Sequence, residues 1–226
     1  MDRADIWDTW AIDRRHLVRS AVRRRRAVGP QGRIVTSTDG ETWSTRSSGI
    51  VDDLNGVAWS GKQFVAVGGV HDNYGQAQII LTSPDGVKWT SRDSGSPIDL
   101  YRIAWSGTQF VAVGEAGVVL TSPDGVKWTK QISGIGSRLT DVTWSGKIFV
   151  AVSQGGAIFT SPDGSKWSNA SPEYEMPDSG RSHVPTVDLE GIAWSGKEFV
   201  AVGDGDAIFT SPDGVKWTKR ESRPMY

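Results

Sequence analysis

The chain contains no cysteine, which excludes both a disulfide framework and a thiolate metal site. Histidine is scarce, with three in 226 residues, and no His-rich metal motif, phosphate-binding loop or Ser-His-Asp order is present. No stretch approaches the roughly 18 consecutive apolar residues of a membrane-crossing helix. The N-terminus also lacks the apolar core of a secretory leader. Neither sign of charge prevails: 25 Lys and Arg stand against 26 Asp and Glu, a formal net charge of −1. That balance gives no electrostatic reason to expect nucleic acid or membrane insertion. As written, the sequence reads as cytoplasmic; a mis-assigned start codon would restore export as an alternative.

What the chain does have is tryptophan, glycine and a repeat. Ser-Pro-Asp-Gly-x-Lys-Trp occurs four times, at 83–89, 122–128, 161–167 and 211–217, and a looser copy, Ser-Thr-Asp-Gly-Glu-Thr-Trp, occupies 37–43. The spacings are 46, 39, 39 and 50 residues. A period near forty built from short strands and tight turns predicts an all-β fold, a β-propeller of about five four-stranded blades.

One repeat shows how. Residues 100–105 (LYRIAW) form strand A, ended by Ser-Gly-Thr; 109–113 (QFVAV) form strand B; 118–121 (VVLT) form strand C, ended by Ser-Pro-Asp-Gly; 127–130 (KWTK) form strand D. β-branched and aromatic residues fill the strands, while Gly, Pro, Asp and Ser fill the breaks. Strand B is apolar without alternation, as a strand buried on both faces requires. Blades are expected at about 27–46, 53–92, 99–131, 138–169 and 188–220, followed by a tail at 221–226.

The first repeat is weak. Residues 1–26 lack the Trp-Ser-Gly and Phe landmarks and carry the run Arg23-Arg24-Arg25-Arg26. Three readings stand. They are a helix over 4–22, favoured by the spacing of Ile6, Trp7, Trp10 and Leu17; degenerate strands completing blade 1; and a mis-assigned start. If strands A and B are missing, an open sheet edge favours homodimerisation. The arginine run, without interleaved aromatics, reads as a solvated or mis-assigned segment rather than a nucleic-acid or localisation patch.

Ser-x-Asp-Gly-x-x-Trp resembles the Asp-box, or BNR, repeat of sialidases, photosystem II stability and assembly-factor propellers, and many bacterial propellers. The resemblance covers about residues 27–220. It implies a structural role for Asp39, Trp43, Asp85, Trp89, Asp124, Trp128, Asp163, Trp167, Asp213 and Trp217, and a scaffold or assembly role for the whole. An Asp in a tight turn accepts backbone N–H bonds, Gly takes the positive-φ position, and Trp covers the hairpin. One carboxylate per turn does not make a calcium loop.

Function is expected elsewhere. A–B and C–D turns lie on one face of the disc and are nearly uniform; B–C loops and D–A connections lie on the other. Both insertions, 68–78 and 169–187, belong to the second face. So do the positions that differ between repeats. A scaffold uniform on one face and varied on the other behaves as a binding platform for a protein, peptide or glycan, although surface loops also tolerate drift. The candidate ligand-binding residues are Tyr101, Arg102, Asp141, Glu190, Glu115, Asp204, His71, Tyr74, Tyr174 and His183. No cofactor or metal is expected. A sialidase-like or glycan-binding module is the alternative, but the Arg cluster, paired Tyr and Glu, and acid/base Asp that such an enzyme needs are not found. Arg33-Ile34 has no following Pro. The chain therefore reads as a non-enzymatic binding scaffold.

Overall fold

Each β-branched or aromatic run becomes a strand, and each Ser-Gly or Asp-Gly pair becomes the turn that reverses it. The computed structural model describes residues 18–19, 25–37, 39–69, 78–93, 95, 97–172, 174–175, 182–183 and 187–221. Five four-stranded antiparallel sheets follow one another as meanders. Blade 1 comprises β1 (Val18–Arg19), β2 (Arg25–Gly29), β3 (Arg33–Ser37) and β4 (Ser44–Arg46); blade 2 comprises β5 (Asp53–Trp59), β6 (Phe64–Gly69), β7 (Gln78–Ser83) and β8 (Thr90–Arg92). Blade 3 holds β9 (Leu100–Trp105), β10 (Phe110–Gly114), β11 (Val119–Ser122) and β12 (Thr129–Gln131). Blade 4 holds β13 (Leu139–Trp144), β14 (Phe149–Ser153), β15 (Ile158–Ser161) and β16 (Ser168–Asn169). A small hairpin, β17 (Tyr174–Glu175) and β18 (Ser182–His183), precedes blade 5, which is β19 (Leu189–Trp194), β20 (Phe199–Gly203), β21 (Ile208–Ser211) and β22 (Thr218–Arg220).

The blades pack face to face, and every seam uses the same residues. Val65, Val67 and Ile80 on the rear of blade 2 meet Leu100, Ile103, Phe110, Ala112 and Leu120 on the front of blade 3. The rear of blade 3 meets blade 4 through Val111, Val113 and Val119, and the rear of blade 4 meets blade 5 through Val150, Val152 and Ile158. Each strand B thus sends alternate residues into two different seams, which explains its unbroken apolar run. The Trp that ends strand A stacks on the Phe that opens strand B, with centroids 4.0–4.5 Å apart in blades 2 to 5. These rings form core, as the repetition implied.

The Asp-Gly turns share one geometry. Asp124 Oδ1 accepts the N–H groups of Val126 at 2.8 Å and Lys127 at 3.0 Å. Ser122 Oγ accepts from Gly125 N at 2.8 Å, and Trp128 Nε1 donates to the Gly125 carbonyl at 3.0 Å. Trp89, Trp167 and Trp217 repeat that last bond. In the loose first copy the Trp43 Nε1 is buried without a partner. Glycine at 125 is required twice over. Its φ is +73°, and a Cβ there would lie 2.5 Å from Val65 Cγ2 of the preceding blade. The turn is therefore a seam element as well as a hairpin staple.

Blade 1 departs from one of the expectations. The helix expected over 4–22 is not what the chain forms at Val18–Arg19, which is strand β1, paired Val18 to Arg26 and Arg19 to Arg25. The unpaired N–H and C=O groups of β2 give these residues a partner that a helix would forgo. Residues 4–17, the rest of that expectation, lie outside the described residues. With β1 on the edge of β2, the ground for dimerisation through a missing strand is gone.

Candidate functional site

The loop-rich face is built where strand A starts. In β5, β9, β13 and β19 the register skips one residue, so that Asn55, Tyr101, Thr140 and Glu190 are bulged out of the ladder. A bulge re-aims its side chain away from the neighbouring strand. Three of the four reach a neighbour on this face. Asn55 Nδ2 donates to the Leu100 carbonyl of the next blade at 3.0 Å, and Thr140 Oγ1 donates to the Leu189 carbonyl. Tyr101 donates its hydroxyl to Glu115 Oε2 at 2.8 Å. Glu190 is exposed.

Arg102 and Asp141, next to the bulges, are also consumed by the ring itself. Arg102 donates from Nη1 to the Asn55 carbonyl at 2.9 Å and to its own neighbour Tyr101 at 2.8 Å, with Nε 3.7 Å from Asp141 Oδ1. Asp141 in turn accepts from Val142 N at 2.8 Å and, on Oδ2, from Ile192 N at 2.9 Å. These two candidates tie blades 2, 3, 4 and 5 together. An arginine so engaged is not positioned as a free cation for a substrate carboxylate.

A second contact repeats just ahead of strand A. Asp53 Oδ1 accepts from Gln31 N at 2.9 Å, and Asp188 accepts from Gly155 N at 2.8 Å and Gln154 Nε2 at 3.1 Å. In both cases an Asp clasps the B–C loop of the preceding blade. At the seam of blades 3 and 4 the position is Arg138, and the loop supplies Glu115. Arg138 Nε lies 2.7 Å from Glu115 Oε2, and the guanidinium stacks 4.8 Å from the Tyr101 ring centroid. Glu115 opens a 3-10 turn, Glu115–Gly117, whose Ala116 has φ of 51°. Such a left-handed alanine costs strain, and it is held by Glu115 N donating to the Asp99 carbonyl at 3.0 Å.

The charges of this cluster are mutually locked. Burial and then the Glu115 carboxylate push the Tyr101 hydroxyl well above its ordinary range. For Glu115, burial works upward, but the bonds from Tyr101 and Arg138 outweigh it and the carboxyl is lowered. Arg138 is opposed by burial yet raised on balance by Glu115. The cluster is thus an ion pair with a neutral phenol in support across the neutral range.

Of the sequence candidates, the structure brings together Tyr101 with Glu115 and Arg102 with Asp141. Tyr174 and His183 pair directly across the β17–β18 hairpin. Asp204 is exposed in the B–C loop of blade 5, its N–H donating to the Asp188 carbonyl at 2.9 Å. His71 and Tyr74 lie outside the described residues. Arg138 was missed. Its signal was present in the repeat: Arg stands where Asp53, Asp99 and Asp188 stand.

No family model matches the chain, and no curated protein matches it. Solved structures do. "YCF48 bound to D1 peptide" aligns at TM-score 0.55 and 20% identity over 88% of this chain and 77% of that one. YCF48 from Cyanidioschyzon merolae aligns at TM-score 0.57 and 13% identity, over 85% of this chain and 67% of that one. The WD40 β-propeller domain of Doa1 aligns at 0.63 and 11%, over 92% and 68%. The class of protein is accordingly a β-propeller. Identities this low carry the fold alone. Among the described residues, no helix is long and apolar enough to cross a membrane.

Proposed function

We propose that the chain is a non-enzymatic platform that binds an extended segment of a partner protein across the loop-rich face, anchored at Tyr101, Glu115 and Arg138. The carrying observation is the orientation of Arg138. Glu115 fixes it through Nε and Tyr101 supports its flat face, while 35% of the side chain stays exposed. A guanidinium held in this way presents its remaining N–H groups to a backbone carbonyl or carboxylate with little further ordering cost. The tyrosine ring beside it adds apolar contact. A similar propeller solved with a bound peptide supports the same use of the fold, and the resemblance of the Asp-Gly repeat to assembly-factor propellers extends the proposal to a part in assembling a larger complex. The aromatic rings that a glycan reading would need as platforms are instead stacked Trp on Phe in the core.

A peptide array probed with the full chain, followed by fluorescence anisotropy on the peptides retained, tests this. Binding weakened about tenfold or more by Arg138→Ala, with the fold retained in circular dichroism, is expected. Binding unchanged by Arg138→Ala, or hydrolysis of a glycan by the chain, overturns it.

A further inference from the structure

Six Asp-Gly pairs occur in the chain, and five of them are the hairpin turns already described. The sixth, Asp204-Gly205, lies in the B–C loop of blade 5. An Asp followed by Gly is open to attack of the backbone nitrogen on the side-chain carboxyl, because no Cβ on the second residue blocks the approach. What separates the six is how firmly each nitrogen and each carboxyl is held.

In the five turns both groups are tied down. Gly40, Gly86, Gly125, Gly164 and Gly214 each donate their N–H to the turn serine, at 2.6–2.8 Å. The carboxylates accept main-chain N–H groups from the residues beyond, as Asp124 does from Val126 and Lys127. Those N–H bonds hold all five carboxyls below their ordinary pKa, so the neutral acid that ring closure needs is scarce at neutral pH. Gly86, Gly125, Gly164 and Gly214 are also buried. The one Asn-Gly pair, Asn55-Gly56, is shielded in another way. Gly56 sits in the β5–β6 ladder opposite Val67, and it is buried against the Arg102 backbone.

Asp204-Gly205 has none of these restraints. Both residues are exposed. The Asp204 main chain is pinned, its N–H to the Asp188 carbonyl at 2.9 Å and its carbonyl by Ala207 N at 3.2 Å. Among the described residues, however, neither its carboxylate nor the Gly205 N–H has a hydrogen-bond partner. That N–H is the one which Gln31 and Gly155, at the same place in blades 1 and 4, give to Asp53 and Asp188. A Cβ at 205 would meet nothing nearer than Val187 Cγ1 at 4.0 Å, so its surroundings are open.

We propose that Asp204 is a site of spontaneous conversion to isoaspartate, with water as the only co-reactant. The Gly205 nitrogen bonds to Asp204 Cγ. The Cγ–hydroxyl bond breaks, and the hydroxyl leaves with the amide proton as water. A second water then opens the succinimide. Opening between the nitrogen and Cγ restores aspartate. Opening between the nitrogen and the α-carbonyl carbon leaves the main chain running through Cβ and Cγ, with the α-carboxylate as the side group. Mass is unchanged, but the backbone gains one methylene between the bonds that pin it to Asp188 and Ala207. A loop of the varied face is thereby remodelled without an enzyme.

Prolonged incubation of the full chain in warm neutral buffer tests this. Its digest is read by electron-transfer fragmentation, which separates isoaspartate from aspartate at equal mass. Isoaspartate at 204 should exceed that at each turn aspartate by about tenfold or more, since several hydrogen bonds must break in the turns and none at Asp204. In urea the six should convert at comparable rates, because the bonds that distinguish them are gone. Ala116 holds the place of Gly205 in blade 3 with φ of 51°, so Gly205→Ala keeps the loop and should slow conversion severalfold. Conversion at 204 no faster than in the turns, a lead that persists in urea, or Gly205→Ala converting as fast as the parent chain would each overturn the proposal.

Discussion

At the scale of single residues, the five turn aspartates show how local bonding sets charge. Asp124 is held below its ordinary value of 3.8 by the Lys127 N–H first, against burial, with Val126 adding to it. Asp85 is lowered first by Val87, Asp163 by Ser165, Asp213 by Lys216 and Asp39 by Thr42. A carboxyl whose folded-state pKa lies below the unfolded value stabilises the fold above that unfolded value. The contribution is lost as pH falls through the folded one. Stability is therefore expected to be level above pH 4 and to decline steeply below it. Urea midpoints measured at descending pH should show this, with a shallower decline in Asp124→Asn. The serine, aspartate and glycine of these turns were legible in the sequence because their bonds are local. Their role in the seam was not, because Val65 and Gln63 come from another blade.

At the scale of elements, the hairpin turn and the preceding blade are fitted closely enough that a methyl group matters. Gly164 has φ of +73°, and a Cβ there would lie 2.5 Å from Val111 Cγ2. Gly164→Ala is expected to cost about 1–3 kcal/mol in urea unfolding, with the loss shared between blades 3 and 4. A smaller effect, confined to the turn, would mean that the seam yields. Strand order, turn residues and the repeating Trp–Phe stack were all readable from period and composition. The bulges were not, since a skipped residue leaves no mark in an apolar pattern. Yet the bulges decide which of Asn55, Tyr101, Thr140 and Glu190 reaches a neighbour. Arg102 and Asp141, read from sequence as varied and hence available, turn out to be consumed between blades.

At the scale of the whole molecule, the interior blades and the last one differ in what covers them. β10 and β14 are buried along their length, whereas β20 has Val202 exposed. Amides of β20 and β21 are expected to exchange with solvent earlier than those of β10 and β11. Mass-resolved hydrogen exchange checks this. Equal protection throughout would mean that blade 5 is covered in solution. The sequence by itself determined the blade, its four strands and the chemistry of its turns, because each depends on residues within about forty positions of one another. Only the tertiary structure decided that Val18–Arg19 pairs as a strand, that Arg138 joins Tyr101 and Glu115, and that Val202 lacks a neighbour. Each of those depends on which surface a segment meets across a seam or a sheet edge, and a periodic pattern is the same whether that surface is filled or empty.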